Sequence, residues 1–563
     1  MGSFDARRWT PYAAVWLPLL IYVWTAAGHG YWLDSAEFTA AAIQLDISHP
    51  PGHPLFALWS KPFTWLPIGS LPFRVAVGQS VAAAVALWFV YRALRREGVY
   101  VALAGTWLLA GCYGFWFQAV RAEVYALQAM LVCIAFERVT AWAHDRSYTR
   151  ALYGACFALG LGLANHHFIA VLALPVLAWP AYDAWKQHGP RPVALCFALG
   201  ALGLSTYVYL PLRALAQPPM NLGDPQTLQR LWWVISAQVY ARRIGSGAVQ
   251  PLGERFADLG VILYEQLGIV LVFVVLGGYA LLRVRARWPL ASLWWLAALI
   301  SLCGRAWLNE VRANPDVLGY MIPGFLALVA MAAHGVTALS FGRTRWTVVL
   351  PVLALGSFWL HADASLHDFV ATDAFDDARR RALPPGSVVI LTTPDTVFRH
   401  WEGEAVEQLR ADVVLMPLPF LGYGGDQVDD PYWFAGALEA DEVRALARDR
   451  PVFVELDSST ALSLYPHVAP SGLLYRVDGH ADSALAEPRA SDPETCKQVL
   501  WTQYVRALYF ASRGDRERAL VASRHGLRCA PAARELRALN DALLGWNDRP
   551  LDLRAFLVGQ NGL

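Results

Sequence analysis

Residues 31–60 read YWLDSAEFTAAAIQLDISHPPGHPLFALWS. The stretch follows an apolar run from Pro11 to Ala27 and carries Asp34 and Glu37 three residues apart. Farther on, His49 and His53 flank Pro50-Pro51-Gly52. If the turn after Asp34 is helical, its i,i+3 spacing puts both carboxylates on one face. Two successive prolines fix φ and remove two N–H donors, so the HPPGH turn is stiff without a hydrogen-bonded ladder. Such a turn can hold an imidazole over a pocket. Ionisable groups at a membrane boundary are costly unless solvated or paired, which makes these residues candidates for chemistry. The plainer readings are a solvated helix end for the acids and a proline-rich re-entry turn with incidental histidines.

The surroundings of this stretch are those of a bilayer protein. Of 563 residues, 56% are hydrophobic and only 16% charged, with mean hydropathy +0.34; an ordinary soluble domain carries about a quarter charged residues. Apolar runs able to cross roughly 30 Å of hydrocarbon recur through the first two thirds of the chain. They give about eleven spans, near 11–28, 72–91, 99–119, 124–142, 151–164, 167–183, 193–212, 258–282, 289–304, 317–338 and 346–361. The first run counts as a span because no small-residue cleavage site follows it. A net charge of +1 gives nucleic-acid binding no footing.

Charge in the connections sets the orientation. With Arg7 and Arg8 in the cytoplasm, every second connection should be basic. The residues that fall there are Arg92, Arg95 and Arg96; Arg146 and Arg150; Lys186 and Arg191; Arg283, Arg285 and Arg287; and Arg343 and Arg345. An odd number of spans then places the Asp34–His53 loop and everything after about His361 outside. The outer face also receives FWFQAVRAEVYAL, with Arg121, Glu123 and Tyr125, and GLANHHFIA, with Asn165, His166 and His167. A long connection from Pro211 adds Arg213, Asn221, Asp224, Tyr240, Arg242 and Arg243, and NEVRANPD adds Glu310, Arg312, Asn314 and Asp316. The histidines could instead cap a helix, and Arg213, Arg242 and Arg243 could anchor in the headgroup layer. Guanidinium forks equally suit a lipid phosphate at this depth. Carboxylates and imidazoles could hold a divalent cation, but no ligand spacing specifies one, and a metal is not the favoured reading.

The tail changes character. GSVVIL, ADVVLM, PVFVEL and GLLYRV are short β-branched runs between amphipathic helical stretches, which predicts a small α/β domain with a partly parallel sheet. YVRALYFASRGDRERALVASRHGLRCAP has the pattern of a tetratricopeptide-like helical pair. The expected domains are 1–362 (membrane), 363–490 (α/β) and 491–563 (helical tail). Cys112, Cys133, Cys156, Cys196 and Cys303 lie in apolar runs as small core residues. Cys496 and Cys529 lie in the polar tail and could pair if it is extracytoplasmic.

The blocks DSAEFTAAAIQLDISHPPGHPL, FWFQAVRAEVYAL, GLANHHFIAVLALP and YLPLRALAQPPMNLGDPQTL, in this order, resemble the protein O-mannosyltransferase-like family of GT-C membrane glycosyltransferases. His49-Pro50-Pro51 also resembles the HPP turn of the protein O-mannosyltransferases proper. Ala36 departs from the family's usual Gly in D-S-G-E-F but removes no carboxylate. The resemblance implies a polytopic α-helical, GT-C-like membrane protein of the inner cell membrane with an extracytoplasmic α/β domain and a helical-repeat-like tail. It implies transfer of a sugar, such as mannose, from a polyprenyl-phosphate carrier to an acceptor hydroxyl on a protein Ser or Thr or on a glycan. Asp34 corresponds to the first-loop acid expected as general base, with Glu37 its neighbour. His49, His53, His166 and His167 would orient sugar, phosphate or acceptor, and Arg213, Arg242 or Arg243 would meet the leaving phosphate. A transporter or flippase would instead predict mid-span charges and repeated halves, which the sequence lacks. A non-catalytic scaffold would put its function in the tail.

Overall fold

The structure is a computed structural model that describes residues 6–240, 251–283, 288–304, 314–340, 344–381, 383–407, 410, 412–423, 440–457, 462–479, 492–546 and 549–560. It divides into two compact units, Met1–Gly28 with Ala41–Asp368, and His29–Ala40 with Phe369–Leu563. The boundary falls inside the helix Ser35–Gln44.

The first unit is helical. Among the described residues, five helices are long and apolar enough to cross a membrane, or up to seven if each bent pair is one span. One of the five, Thr149–His188, runs 40 residues and is not straight. At His166 the backbone leaves the helix (φ −148°, ψ 90°). The two ends of the stretch then meet: His188 Nε2 lies 3.0 Å from the Arg146 carbonyl, and Arg146 pairs with Asp183 at 3.7 Å. Trp142 meets Trp179 edge-on at 5.1 Å. The predicted junction of two spans at GLANHHFIA is thus the place where the chain turns back.

The run predicted as one span over 258–282 is instead broken. Leu252–Leu267 and Val270–Arg283 meet at 103°. Gly268 sits between them at φ +50°, a conformation that glycine enters at little cost. Val270–Arg283 packs on Ile322–Leu339 through glycines: a Cβ at Gly277 would run into the Met331 carbonyl, and one at Gly335 into that of Phe273. Small residues permit this approach of two helices. The predicted span 99–119 bends by 69° between Val99–Ala110 and Tyr113–Ala119.

The second unit is built on five strands, β1 (Val388–Leu391), β2 (Val414–Pro417), β3 (Val452–Val454), β4 (Val468–Ser471) and β5 (Leu474–Val477). Their order is β2-β1-β3-β5-β4. The first three are parallel, with Val388 opposite both Val414 and Val452. β5 runs antiparallel to β3 and to β4. The four β-branched runs supply β1, β2, β3 and β5. β4, with Pro470, carries no strand signature and lies at the sheet edge, where a missing N–H is tolerated. The helices Pro493–Ser512, Arg516–Cys529 and Arg534–Leu544 follow. Sheet and tail, expected as separate domains, share one core: Val454 and Val477 cluster with Leu508, Tyr509 and Leu539. Tyr509 also donates its hydroxyl to the Val468 carbonyl at 2.9 Å.

Candidate active site

The segment that carries the acids belongs, up to Ala40, to the second unit. Trp32 is buried and donates Nε1–H to Thr495 Oγ1 at 2.9 Å. Its ring meets Phe375 edge-on at 5.1 Å, and Tyr31 packs on Phe369 at 4.7 Å. Thr372 donates to the Gly30 carbonyl at 2.8 Å, and His29 pairs with Asp373 at 2.9 Å. Gly30 lies against the Arg399–Glu402 ion pair so closely that no Cβ would fit. Leu33 takes φ +62°, and the helix begins at Ser35. The Asp34 carbonyl accepts from Phe38 N–H at 2.9 Å, so Asp34 opens this helical turn and Glu37 stands in its first turn. Glu37 is fully buried and Asp34 half-buried.

In the first unit, Arg121 is fully buried at the end of FWFQAVRAE. It donates to Glu123 at 3.1 Å and to Gln118 at 2.9 Å, and pairs with Asp316. Its guanidinium also covers the Phe117 ring at 4.6 Å. Gln118, in the helix Tyr113–Ala119, donates to the Pro315 carbonyl at 3.0 Å, so two segments distant in sequence are stitched together here. Glu123 caps the helix Val124–His144, its side chain accepting from Val124 N–H at 3.2 Å. Glu123 and Asp316 have the chemistry of metal ligands, but Arg121 already balances both.

A cluster of rings forms around the turn at His166. His49 and His53 meet at 5.1 Å, His53 and His166 at 5.7 Å, and His166 and His167 at 6.5 Å. Tyr125 lies 5.6 Å from both His166 and Tyr320, and Tyr240 faces His49 edge-on at 6.4 Å. His53 Nδ1 lies 2.6 Å from the Asn165 carbonyl. A carbonyl only accepts, so Nδ1 carries the hydrogen. Burial, reinforced by His49 and His166, holds His53 well below the usual histidine range, which keeps its ring neutral. Asn165 in turn donates to the Val124 carbonyl at 3.0 Å and to Gln128 at 3.1 Å. Pro50, Pro51 and Gly52 are buried, and His53 itself takes φ +41° before the helix Pro54–Ser60.

Two of the expected substrate residues also have local partners. Arg213 donates Nε–H to the Leu45 carbonyl at 2.6 Å and Nη2–H to that of Gln44 at 2.8 Å. These are the carbonyls that end the Ser35–Gln44 helix and lack partners within it, so a cation there is a C-terminal clamp. Tyr209 adds its hydroxyl to Leu45 O at 2.6 Å. Asp224, expected at substrate, organises its own turn, accepting from Asn221 and Gln226 at 2.9 Å each. Arg242, Arg243, Glu310 and Arg312 lie outside the described residues. Gln128, Tyr320 and Thr495 join these networks without any motif to announce them, and Tyr209 joins from the first position of YLPLRALAQPPMNLGDPQTL.

Residues 34–188 match the family model of the Protein O-mannosyl-transferase TMEM260 N-terminal domain. The match opens on Asp34 and ends at His188, the residue that closes the hairpin turned at His166. The chain is 35% identical over 213 residues to Protein O-mannosyl-transferase TMEM260 of Mus musculus, covering 35% of this chain and 29% of the mouse protein. It is 25% identical over 201 residues to the Dictyostelium discoideum protein of the same name, covering 31% and 24%. The chain thus matches less than a third of the length of these TMEM260 relatives. Among solved structures, ArnT from Cupriavidus metallidurans bound to undecaprenyl phosphate superposes with TM-score 0.57 at 12% identity, over 84% of this chain and 98% of ArnT. The apo form of ArnT gives 0.56 at 14% identity, with the same coverage. At such identity the likeness to ArnT is one of fold: a polytopic, helical, GT-C-like membrane architecture.

Proposed function

We propose that this chain is a membrane glycosyltransferase that moves a sugar from a polyprenyl-phosphate carrier to an acceptor hydroxyl, with inversion at the anomeric carbon. The observation that carries this reading is the TMEM260 match over residues 34–188, which spans the acid segment, the HPPGH turn, Arg121 and the histidine turn. The name of those relatives supports mannose as the sugar and a protein as the acceptor. The lipid phosphate bound to ArnT supports the carrier.

In this reading Asp34 is the general base. A hydroxyl is a poor nucleophile near neutral pH, and a carboxylate within hydrogen-bond reach takes its proton as the new bond forms. Attack opposite the phosphate passes through an oxocarbenium-like state. The departing lipid phosphate needs cationic donors. Arg213, Arg242 or Arg243 takes that role. His49, His53, His166 and His167 orient the donor, and Glu37 stands beside the base. About eleven spans, with the N-terminus cytoplasmic and the second unit outside an inner cell membrane, go with this reading. The return of the chain at His166 supports counting Thr149–His188 as two spans.

The test is turnover by purified protein offered a panel of polyprenyl-phosphate sugars and Ser/Thr peptides. Transfer by the native chain, lost in Asp34→Asn with donor binding retained, is the expected result. Full turnover by Asp34→Asn would falsify the assigned base, and binding without transfer to any acceptor would favour a carrier.

A further inference from the structure

Cys496 and Cys529 stand at the same end of two paired helices. Cys496 lies in the first turn of Pro493–Ser512, its N–H bonded to the carbonyl of the capping Asp492 at 2.9 Å. Cys529 is the last residue of Arg516–Cys529. Gly526 fixes the register: a Cβ there would lie 3.3 Å from Gln503 Cβ and 3.7 Å from Leu500 Cδ1. The helices are antiparallel, so the turn beyond Gly526 meets the turn before Leu500. That step brings Cys529 opposite Cys496. The Cys496 thiol donates to the Cys529 carbonyl oxygen at 3.5 Å, and the Cys529 thiol adjoins it. Both side chains are partly exposed.

We propose that Cys496 and Cys529 form a disulfide that staples these two helices on the outer side of the membrane. The proposal rests on the outward placement of the second unit given above. Disulfides form and persist outside the cytoplasm and are reduced within it. The reaction is thiol–disulfide exchange with a dithiol–disulfide oxidoreductase. One cysteine thiolate attacks the oxidant's S–S bond, and the second displaces the oxidant from the mixed disulfide. Two protons and two electrons leave with the oxidant as its dithiol. Burial, with the adjoining Cys529 thiol, pushes the Cys496 thiol up to about 12. Cys133, buried within an apolar helix, and Cys112, buried at the break before Tyr113–Ala119, offer an aqueous oxidant no access.

The test uses the full chain isolated from membranes with thiols trapped by an alkylating reagent and no reductant. Mass spectrometry of the digest should find a peptide around Cys496 linked to one around Cys529, replaced by two alkylated peptides after reduction. Cys496→Ser should abolish the linked species. Alkylation of both residues without reduction overturns the proposal. Protease accessibility of the tail in spheroplasts, with the outer envelope opened, separates the causes: an accessible tail with free thiols sinks the disulfide alone. A protected tail sinks the outward placement, and the disulfide with it.

Discussion

Trp32 and Thr495 are joined by a 2.9 Å hydrogen bond across 463 residues of sequence, two residues before the proposed base. Both groups are buried, so loss of the acceptor strands the indole N–H at a cost of about 1–3 kcal/mol. Thr495→Val should lower the thermal midpoint of the purified protein, and Thr495→Ser should restore it. Sugar transfer should fall in Thr495→Val with the same rescue. Equal stability of the Val and Ser variants would remove this bond from the account.

Arg121 balances Glu123 and Asp316 with no solvent contact of its own. Arg121→Met leaves two buried carboxylates without their cation, which costs about 3–5 kcal/mol. Arg121→Lys should recover little, because an ammonium cannot serve two carboxylates, Gln118 and the Phe117 face from one planar fork. Monodispersity after detergent extraction reads this directly; a well-behaved Arg121→Met protein would contradict it.

His53 supplies an Nδ1–H donor from a left-handed backbone. Asparagine places its amide N–H near the position of Nδ1 and enters that backbone region more readily than other non-glycine residues. His53→Asn should therefore fold nearly as well as the native chain. His53→Gln, with its amide one bond farther out, should lose about 1 kcal/mol or more. Comparison of thermal midpoints decides between them.

Asp395 is pushed up to about 6 by burial and by the neighbouring Glu494, against the opposing bond from Gln498. A carboxyl whose folded pKa lies above its unfolded value stabilises the fold while protonated. That contribution is lost as pH rises from about 4 towards 6, and the loss is complete above that. Asp395→Asn removes the penalty and still accepts from Gln498, so it should stabilise the second unit by about 1–2 kcal/mol at pH 8 and little at pH 4, the side chain being only half-buried. Midpoints of the two proteins that differ equally at both pH values would refute the assignment.

The sequence by itself determined the class of the molecule and the sites of its polar turns. Long apolar runs admit few arrangements in hydrocarbon, because every backbone group must be satisfied within a helix. β-branched runs marked four of the five strands for the same local reason. Consecutive prolines announced the stiff turn before His53, and NHH marked the place where the chain reverses. Local pattern could not see Gly268 breaking a run that is apolar on both sides, nor Pro470 lying in an edge strand. Only the tertiary structure decided partners. It committed Arg213 to the end of the Ser35–Gln44 helix, gave Arg121 to Asp316, and tied Trp32 to Thr495. A charge or an indole can satisfy itself with many groups of the right polarity, and the choice among them depends on which elements packing brings within about 3 Å. The stretch from Tyr31 to Ser60 declared its own chemistry, and the fold chose what holds it.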